Sequence, residues 1–192
     1  LIDNVQRDVM FGFSNEIARI CDILGVSASE VIKAGKLGYP RTNLFLPGPV
    51  GGPCLSKDPY ILLEGLAELG ADAEMTRAAR QGNERQLLEA IDYVSKLLWH
   101  KEMPEKPVIT LMGLAFKGRP PTDDLRGTTA IPVLKFLQER HPQAIFRGYD
   151  SVVAHDQIRQ LGLQPCPSLK VAVLGSNLCV ILNNHAEFSL MP

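Results

Sequence analysis

The sequence predicts an α/β protein in which an all-helical part, residues 1–103, precedes a doubly wound parallel sheet, residues 104–192. Three observations indicate this fold class. Apolar residues recur every three or four positions through much of the first part, which is the spacing of one helix face. Prolines and glycines are dense at residues 37–53. In the second part short apolar runs alternate with helical patterns, which implies βαβ units and a parallel sheet.

The first helix is predicted to begin at Ile2 and to end at Gly25. Ser27, with Glu30 three residues later, has the form of a capping box, which predicts a second helix over residues 28–36. The apolar face predicted for the first helix consists of Val5, Val9, Phe13, Ile17, Ile20 and Leu24.

Residues 37–53 are predicted to form a long irregular loop, because their prolines and glycines exclude a helix and argue against a regular strand. The apolar residues of the stretch 44–46 make disorder unfavourable. Loops of this length inside a compact domain are usually functional. We therefore expect a ligand-binding loop.

Two more helices are predicted after the loop. Pro59 lies where a first helical turn would accept it, and this helix ends at Gly70. A longer helical pattern follows over residues 74–100. The texture then changes at residues 103–107, a short charged linker with prolines at 104 and 107, and we place the domain boundary there.

The remaining sequence alternates strands and helices. The predicted strands are 108–112, 144–149 and 178–182, and the predicted helices are about 124–140 and 153–161.

The 192 residues carry 20 basic and 21 acidic side chains, a net charge of −1. This balance provides no electrostatic footprint for nucleic acid or for an anionic membrane, so we expect neither as a partner. No apolar run reaches the roughly 18 residues of a membrane span, and the start lacks the pattern of a signal peptide. We therefore expect a cytoplasmic protein.

Cys54 differs from the other three cysteines, which are interpreted as buried or structural thiols; no spacing indicates a disulfide framework or a metal site. It lies beside Lys57 at the start of a predicted helix, and both the cation and the helix terminus favour a thiolate. Asp58 would share a face with Cys54 and could position water or accept a proton. An alternative stays open, in which Gly51 and Gly52 only form a turn and Asp58 only caps the helix.

The motif GPVGGPC at residues 48–54, followed by KDPY at residues 57–60, resembles the active-site loop of the UDP-glucose/GDP-mannose dehydrogenase family. Further motifs that resemble the family, in the same order, are DN at 3–4, NE at 15–16, GLAFK at 113–117 and TDDLR at 122–126. The resemblance covers essentially the whole chain. It implies a helical central dimerisation domain followed by a Rossmann-like UDP-binding domain.

The resemblance implies that C6 of a UDP-sugar is oxidised to the acid with two NAD molecules, a reaction of polysaccharide biosynthesis. Cys54 would be the nucleophile that carries a thiohemiacetal and then a thioester. Asn4 would stabilise the oxyanion, Asp58 would serve the hydrolytic step, and Lys57 would lie beside the thiol.

The resemblance also implies substrate and cofactor contacts. Arg41, which the family often supplies from the neighbouring subunit of a homodimer, would help to hold the sugar diphosphate. Lys117 would contact the nucleotide sugar, and Arg126 would reach the pyrophosphate or ribose of NAD. The remaining substrate-binding residues implied are Leu44, Phe45, Gly51 and Gly52.

The chain departs from the family in that it has no GxGxxG turn for NAD. A family lysine would also fall ahead of Leu1, so we expect a truncated piece that dimerises through its first helix but does not turn over substrate. The flanks PGPVGG and DPY look more like the UDP-N-acetylhexosamine branch than the UDP-glucose branch. The rival hypothesis is a stand-alone dimerisation and nucleotide-binding module in which Cys54 is inert.

Overall fold

A computed structural model describes residues 1–99 and 104–190. It divides into two compact units, Leu1–Glu89 and Ala90–Pro192. Within the described residues, no helix is both long enough and apolar enough to cross a membrane. The predicted end of the fourth helix at His100 and the predicted boundary at residue 103 lie outside the described residues.

The first unit is built from helices at the predicted places. Their bounds are α1 Ile2–Leu24, α2 Ala28–Lys36, α3 Asp58–Ala67 and α4 Glu74–Trp99, of which α4 continues past the end of the first unit. Gly25 ends α1 in the left-handed conformation (φ 68°), which a residue without a Cβ adopts at no steric cost. The backbone N–H of Glu30 donates to Ser27 Oγ (3.4 Å), so the serine half of the predicted capping box is present.

The face that α1 buries in this unit is not the apolar face predicted from the sequence. Of the apolar stripe, Val5 is buried, but Phe13, Ile20 and Leu24 are 51%, 44% and 68% exposed. Small and polar residues are buried instead: Asp8, Gly12, Ser14 and Asn15. The sequence predicted the apolar face of α1 but gave no sign of this buried polar face, whose burial is possible because it finds hydrogen-bonding partners on α4 and on the loop.

Gly12 brings α1 close to α4. A Cβ added at this position would lie 2.8 Å from the Cβ and 2.9 Å from the Cα of Ala79. Contacts this short would force the backbones apart. The absence of a side chain at residue 12 therefore sets the distance between the two helices.

The second unit contains a four-stranded parallel sheet in the order β3-β2-β1-β4. Its elements are β1 Val108–Met112, α5 Ala130–Arg140, β2 Ile145–Tyr149, α6 His155–Gln160, β3 Gln164–Pro165, α7 Leu169–Val173, β4 Leu178–Ile181 and a 3-10 helix Ala186–Leu190. Met112 is in register with both Tyr149 and Ile181, so β1, β2 and β4 end at the same edge. The fully buried apolar residues of the second unit include Ile109, Leu111, Leu137 and Ile158.

One predicted helix begins later than expected. The prediction placed its start at about residue 124, but α5 begins at Ala130. Asp124 uses its carboxylate to accept from the backbone N–H of Arg126 (2.9 Å), and Gly127 has a positive φ of 64°. This local turn competes with the helix. β3, α7 and the 3-10 helix were not predicted, because each is too short to show a period.

Replacement of Gly12 by alanine tests the close approach of α1 and α4. We expect Gly12→Ala to lower the free energy of unfolding by about 1–3 kcal/mol, since the new methyl group overlaps Ala79. Gly65→Ala is the matched control: Gly65 lies inside α3 and has no atom within 4 Å of an added Cβ. This control should keep or raise the stability, by up to about 1 kcal/mol. Equal effects of the two substitutions in urea unfolding would contradict the packing argument.

Candidate active site

The loop between α2 and α3 has no helix or strand over residues 37–57, as predicted, and ends in a tight turn around Cys54. Gly52 is buried and has φ 102°, a value that favours glycine. The Cys54 carbonyl accepts from the backbone N–H groups of Lys57 (3.2 Å) and Asp58 (2.9 Å). Cys54 therefore lies in the turn that leads into α3, and it is an exposed residue.

Asn4, Lys57 and Asp58 meet directly in front of α3. Asn4 Nδ2 donates to Asp58 Oδ2 (2.7 Å), and the Lys57 ammonium donates to Asp58 Oδ1 (2.7 Å). The Asp58 side chain is only 8% exposed, whereas Lys57 is 60% exposed. The bond from Lys57, followed by the bond from Asn4, holds the pKa of Asp58 below its usual range. The hydrogen bond to Asp58 is the main cause that raises the pKa of Lys57, and the neighbouring Cys54 acts in the same direction.

This arrangement has definite chemical capacities. The Asn4 amide has two N–H groups, so one remains for another acceptor after the bond to Asp58. Because its pKa is lowered, Asp58 is ionised at neutral pH and is a weak proton acceptor. Its carboxylate is better suited to orient a water molecule and the Lys57 ammonium than to remove a proton.

Buried polar side chains of α1 and α4 hold the loop through a series of hydrogen bonds. The two ends of the Asn15 side chain pair with the Gly48 backbone: Gly48 N–H donates to Oδ1 (2.8 Å), and Nδ2 donates to the Gly48 carbonyl (3.1 Å). Asn15 Nδ2 also donates to Asn83 Oδ1 (2.9 Å), and Asn83 Nδ2 donates to the carboxylate and the carbonyl of Asp8 (2.9 Å each).

Asp8 is paired with Arg80, whose Nη1 donates to Asp8 Oδ1 (2.7 Å) and to the Leu55 carbonyl (2.8 Å). The Asp8 side chain is fully buried and that of Arg80 is 3% exposed. Burial raises the pKa of Asp8, and the neighbouring guanidinium acts in the opposite direction. Both anchor points on the loop, Gly48 and Leu55, are thus backbone groups held by side chains of α1 and α4.

The substrate-binding residues predicted on the loop lie in different environments. Phe45 is half-buried and packs on Phe11 of α1, with ring centroids 4.7 Å apart, and Leu44 beside it is also half-buried. Arg41 is exposed, and none of the described hydrogen bonds or ion pairs joins it to Cys54.

In the second unit, the segment 113–118 follows β1 at the edge where the strands end. The N–H groups of Leu114 and Ala115 donate to Asp150 Oδ2 (2.7 and 3.2 Å), and Asn183 Nδ2 donates to the Ala115 carbonyl (3.1 Å). The strand order changes direction between β1 and β4, so this segment lies at the topological switch point, where α/β sheets bind ligands.

Lys117 and Arg126, both predicted from the sequence, lie on two segments that are joined here. Phe116 N–H donates to the Asp124 carbonyl (3.1 Å), and Lys117 Nζ lies 5.2 Å from the Phe116 ring centroid. The Arg126 guanidinium pairs with the Asp124 carboxylate (2.8 Å), and this side-chain bond is the main cause that lowers the pKa of Asp124 to about 2. The pair forms an exposed charged group beside Lys117.

No group of three or more His, Cys, Asp or Glu residues among the described parts of the chain could hold a metal ion.

The sequence alone did not predict a role for Asp8, Arg80 or Asn83, nor for Asp150 in the second unit. A signal was available for the first three: Asp8 lies one turn from Val5 on the buried face of α1, and Arg80 and Asn83 share a face of α4. For Asp150, the signal is its place directly after β2.

Two family models match the chain. Residues 1–85 match the central domain of the UDP-glucose/GDP-mannose dehydrogenase family, and residues 110–192 match its UDP-binding domain.

Among curated relatives, UDP-N-acetyl-D-mannosamine dehydrogenase of Pyrococcus horikoshii is 35% identical over 98% of this chain and 41% of its own length. NDP-N-acetyl-D-galactosaminuronic acid dehydrogenase of Ralstonia nicotianae is 30% identical over 98% of this chain and 42% of its own. The chain thus spans well under half the length of these relatives.

Solved structures agree in fold. The UDP-D-ManNAc dehydrogenase structure from P. horikoshii aligns with a TM-score of 0.79 and 30% identity, over 99% of this chain and 42% of that chain. A UDP-glucose dehydrogenase from Pyrobaculum islandicum aligns with a TM-score of 0.85 over 100% of this chain and 44% of that chain; at 22% identity this match shows the fold alone.

Removal of the Asn4 amide should raise the pKa of Asp58. In Asn4→Ala, one of two hydrogen bonds to the carboxylate is lost, so the pKa moves towards its ordinary value, while the larger effect of Lys57 remains. The carboxyl resonance of Asp58 in an NMR titration measures the shift.

Asp72, whose pKa is lowered by Arg77, is the internal control and should titrate as before. Since the folded-state pKa of Asp58 is the lowered one, the stability from these contacts is present above the ordinary carboxyl range and is lost as the pH falls through the folded-state value. An Asp58 titration that Asn4→Ala leaves unchanged would show that the amide does not act on this carboxylate.

Proposed function

This chain belongs to the UDP-glucose/GDP-mannose dehydrogenase family, and on that premise we propose that it is part of an NAD-dependent nucleotide-sugar 6-dehydrogenase. The proposed reaction oxidises a UDP-sugar to its uronic acid through a thioester on Cys54. One observation carries the proposal: an exposed cysteine lies in the turn before α3, where Asn4, Lys57 and Asp58 are joined by short hydrogen bonds.

The residues of the first unit support distinct roles in this chemistry. NAD, when bound, would accept two electrons from the C6 alcohol and two more, on a second molecule, from the thiohemiacetal. Between these oxidations the Cys54 sulfur attacks the aldehyde carbon at C6, and the spare N–H of Asn4 donates to the oxygen on which negative charge develops. The ionised Asp58 orients the water that hydrolyses the thioester and holds Lys57 beside the sulfur. Loss of an oxyanion donor of this kind typically costs about 3–4 kcal/mol of transition-state stabilisation.

The residues present do not fit the principal NAD site. The turn after β1 has glycines only at 113 and 118, and Gly118 is packed against the backbone of His185, so that an added Cβ would lie 2.1 Å from the His185 nitrogen. The helix that follows this turn, α5, begins only at Ala130, so the turn does not lead directly into a helix as a GxGxxG turn does. We propose that NAD is held by another part of the whole protein and that this chain alone does not turn over.

We propose a UDP-N-acetylhexosamine as the substrate class. The flanks of the Cys54 motif resemble that branch of the family, and two of the relatives named above are dehydrogenases of N-acetylated sugars. The second unit would hold the nucleotide at the switch point between β1 and β4, with Lys117 on the phosphates and Arg126 at the edge towards the cofactor.

We also propose a homodimer formed through α1. The exposed stripe on this helix includes Phe13, Ile20 and Leu24, spaced by seven and four residues along one face, with Ile23 84% exposed beside them. Apolar patches of this kind mark interaction sites. In such a dimer the exposed Arg41 would complete the site of the partner subunit, as the family resemblance implies.

The reactivity of Cys54 separates the dehydrogenase from an inert binding module. We expect a small alkylating reagent at neutral pH to modify Cys54 at least about tenfold faster than Cys21 and Cys166, because those two thiols are buried and Cys54 lies beside a cation and a helix terminus. Mass spectrometry of the labelled peptides measures the four rates, and Cys54→Ser should remove the fast phase. Uniform slow labelling would favour the binding module.

Binding of UDP tests the second unit. We expect Lys117→Met to weaken UDP binding by about fivefold to tenfold in calorimetry, since one charge-assisted bond to phosphate is lost. Lys135→Met removes an exposed lysine from α5 and is the matched control, which should bind as the parent does. Equal affinity in the two variants would refute the role of Lys117.

A further inference from the structure

Arg80 Nη1 makes two hydrogen bonds, and Arg80 Nε also lies 3.5 Å from the half-exposed carboxylate of Glu84. Nη1 donates to the carboxylate of Asp8 and to the carbonyl of Leu55, at 2.7 and 2.8 Å. Leu55 is the residue directly after Cys54. The side chain of Arg80 is 3% exposed, so both bonds are shielded from water, and hydrogen bonds of a charged donor in such surroundings are strong.

We propose that Arg80 is a positioning residue for the Cys54 thiol. It acts through the Leu55 peptide, not through contact with substrate, and the proposal rests on the function proposed above. The Cys54 carbonyl already accepts from Lys57 and Asp58 on the α3 side. The bond from Arg80 holds the next carbonyl on the α4 side, so the two peptides that follow the sulfur are fixed from opposite directions.

The loop needs such an external hold. Residues 37–57 have no strand or helix to fix their backbone. Asn15 holds the loop at Gly48, six residues before Cys54, and Arg80 holds it at Leu55. Between these anchors lie Gly51 and Gly52, the residues with the greatest conformational freedom. Ser56 Oγ donates to the Gly52 carbonyl (2.7 Å), so residues 52–56 form one turn. Release of the second anchor would free the Leu55 peptide, and the turn could then take more than one orientation relative to the start of α3, although the Cys54 carbonyl keeps its bonds to Lys57 and Asp58.

Asp8 makes the arrangement possible, because it neutralises the guanidinium inside the unit. This coupling also dictates the experiment. Arg80→Met alone leaves the buried Asp8 carboxylate without its cation and is expected to unfold the unit. The double variant Asp8→Asn with Arg80→Met removes both charges and leaves the Leu55 carbonyl without its donor.

The control applies the same pair of changes at the exposed start of α4, to Arg77 on the helix and Asp72 just ahead of it. Arg77 and Asp72 form an exposed ion pair, with side chains 48% and 44% exposed, and neither hydrogen-bonds to the loop among the described contacts. Asp72→Asn with Arg77→Met is therefore the matched double variant. Protection of the buried Cys21 from alkylation reports in every variant whether the first unit is folded.

Two readouts test the proposal on this chain. The carbonyl carbon resonance of Leu55, detected through the amide of Ser56, should shift when the bond from Arg80 is lost. In the same variant the alkylation rate of Cys54 at neutral pH should fall by about twofold to fivefold, the range expected when a helix terminus no longer acts on the sulfur. Cys21 should stay protected, and the control variant should keep both the resonance and the rate.

A folded variant whose Leu55 resonance has moved but whose Cys54 rate is unchanged would overturn the proposal and leave Arg80 a structural role alone. Arg80→Lys provides the second test, since it keeps the charge opposite Asp8 but replaces the planar fork with a single ammonium. If Cys21 becomes exposed in the double variant, Arg80→Lys is the deciding test. A shifted Leu55 resonance with slower labelling of Cys54 supports the proposal, and a shifted resonance with unchanged labelling contradicts it. Failure of the proposed function is distinct, because Cys54 of the unaltered chain would then label as slowly as the buried thiols.

Discussion

The buried ion pair between Asp8 and Arg80 is the constraint on which the first unit depends. Two charges taken out of water are costly, and they are tolerated only where good geometry and further hydrogen bonds compensate. Here Asn83 donates to Asp8, and the guanidinium donates to the Leu55 carbonyl as well. The pair joins α1 to α4, and the further bond from Arg80 to the Leu55 carbonyl adds the loop. Each element is thus held by the same small set of bonds, and none can shift alone.

Burial of polar side chains on α1 has a consequence for its apolar residues. Two neighbouring elements cannot pack on the same face of a helix, and α4 packs on the face of α1 that carries Asp8, Gly12 and Asn15. Phe13 and Ile20 are then left at the surface. A buried polar network and an exposed apolar stripe are therefore two results of one packing choice. This choice suits a helix that must hold an active-site loop on one side and, as proposed, a second copy of the chain on another.

Features decided by local chemistry could be predicted from the sequence. The ends of α1 and α2, the irregular course of the loop and the strands β1, β2 and β4 follow from glycine, capping residues and apolar period, and they lie within a few residues of the predicted places. The start of α5 was missed, because the side chain of Asp124 bonds its own backbone neighbour in competition with the helix. The buried face of α1 was missed because periodicity counts apolar residues only, and the partners of Asp8 are about 70 residues away in sequence.

The same distinction applies within the candidate site. Cys54, Lys57 and Asp58 are neighbours in sequence, so their meeting at the start of α3 is a matter of local geometry, and Asn4 was reached only through the family resemblance. The motif does not contain the residues that fix its own conformation. A loop rich in glycine and proline has few backbone bonds of its own, so its conformation is set by side chains from other elements that donate to its carbonyls. In this protein those side chains are Asn15 and Arg80. Sensitivity of the site to substitution should therefore extend to buried polar positions on α1 and α4, where no motif marks them and where burial leaves no substitute partner for a lost bond.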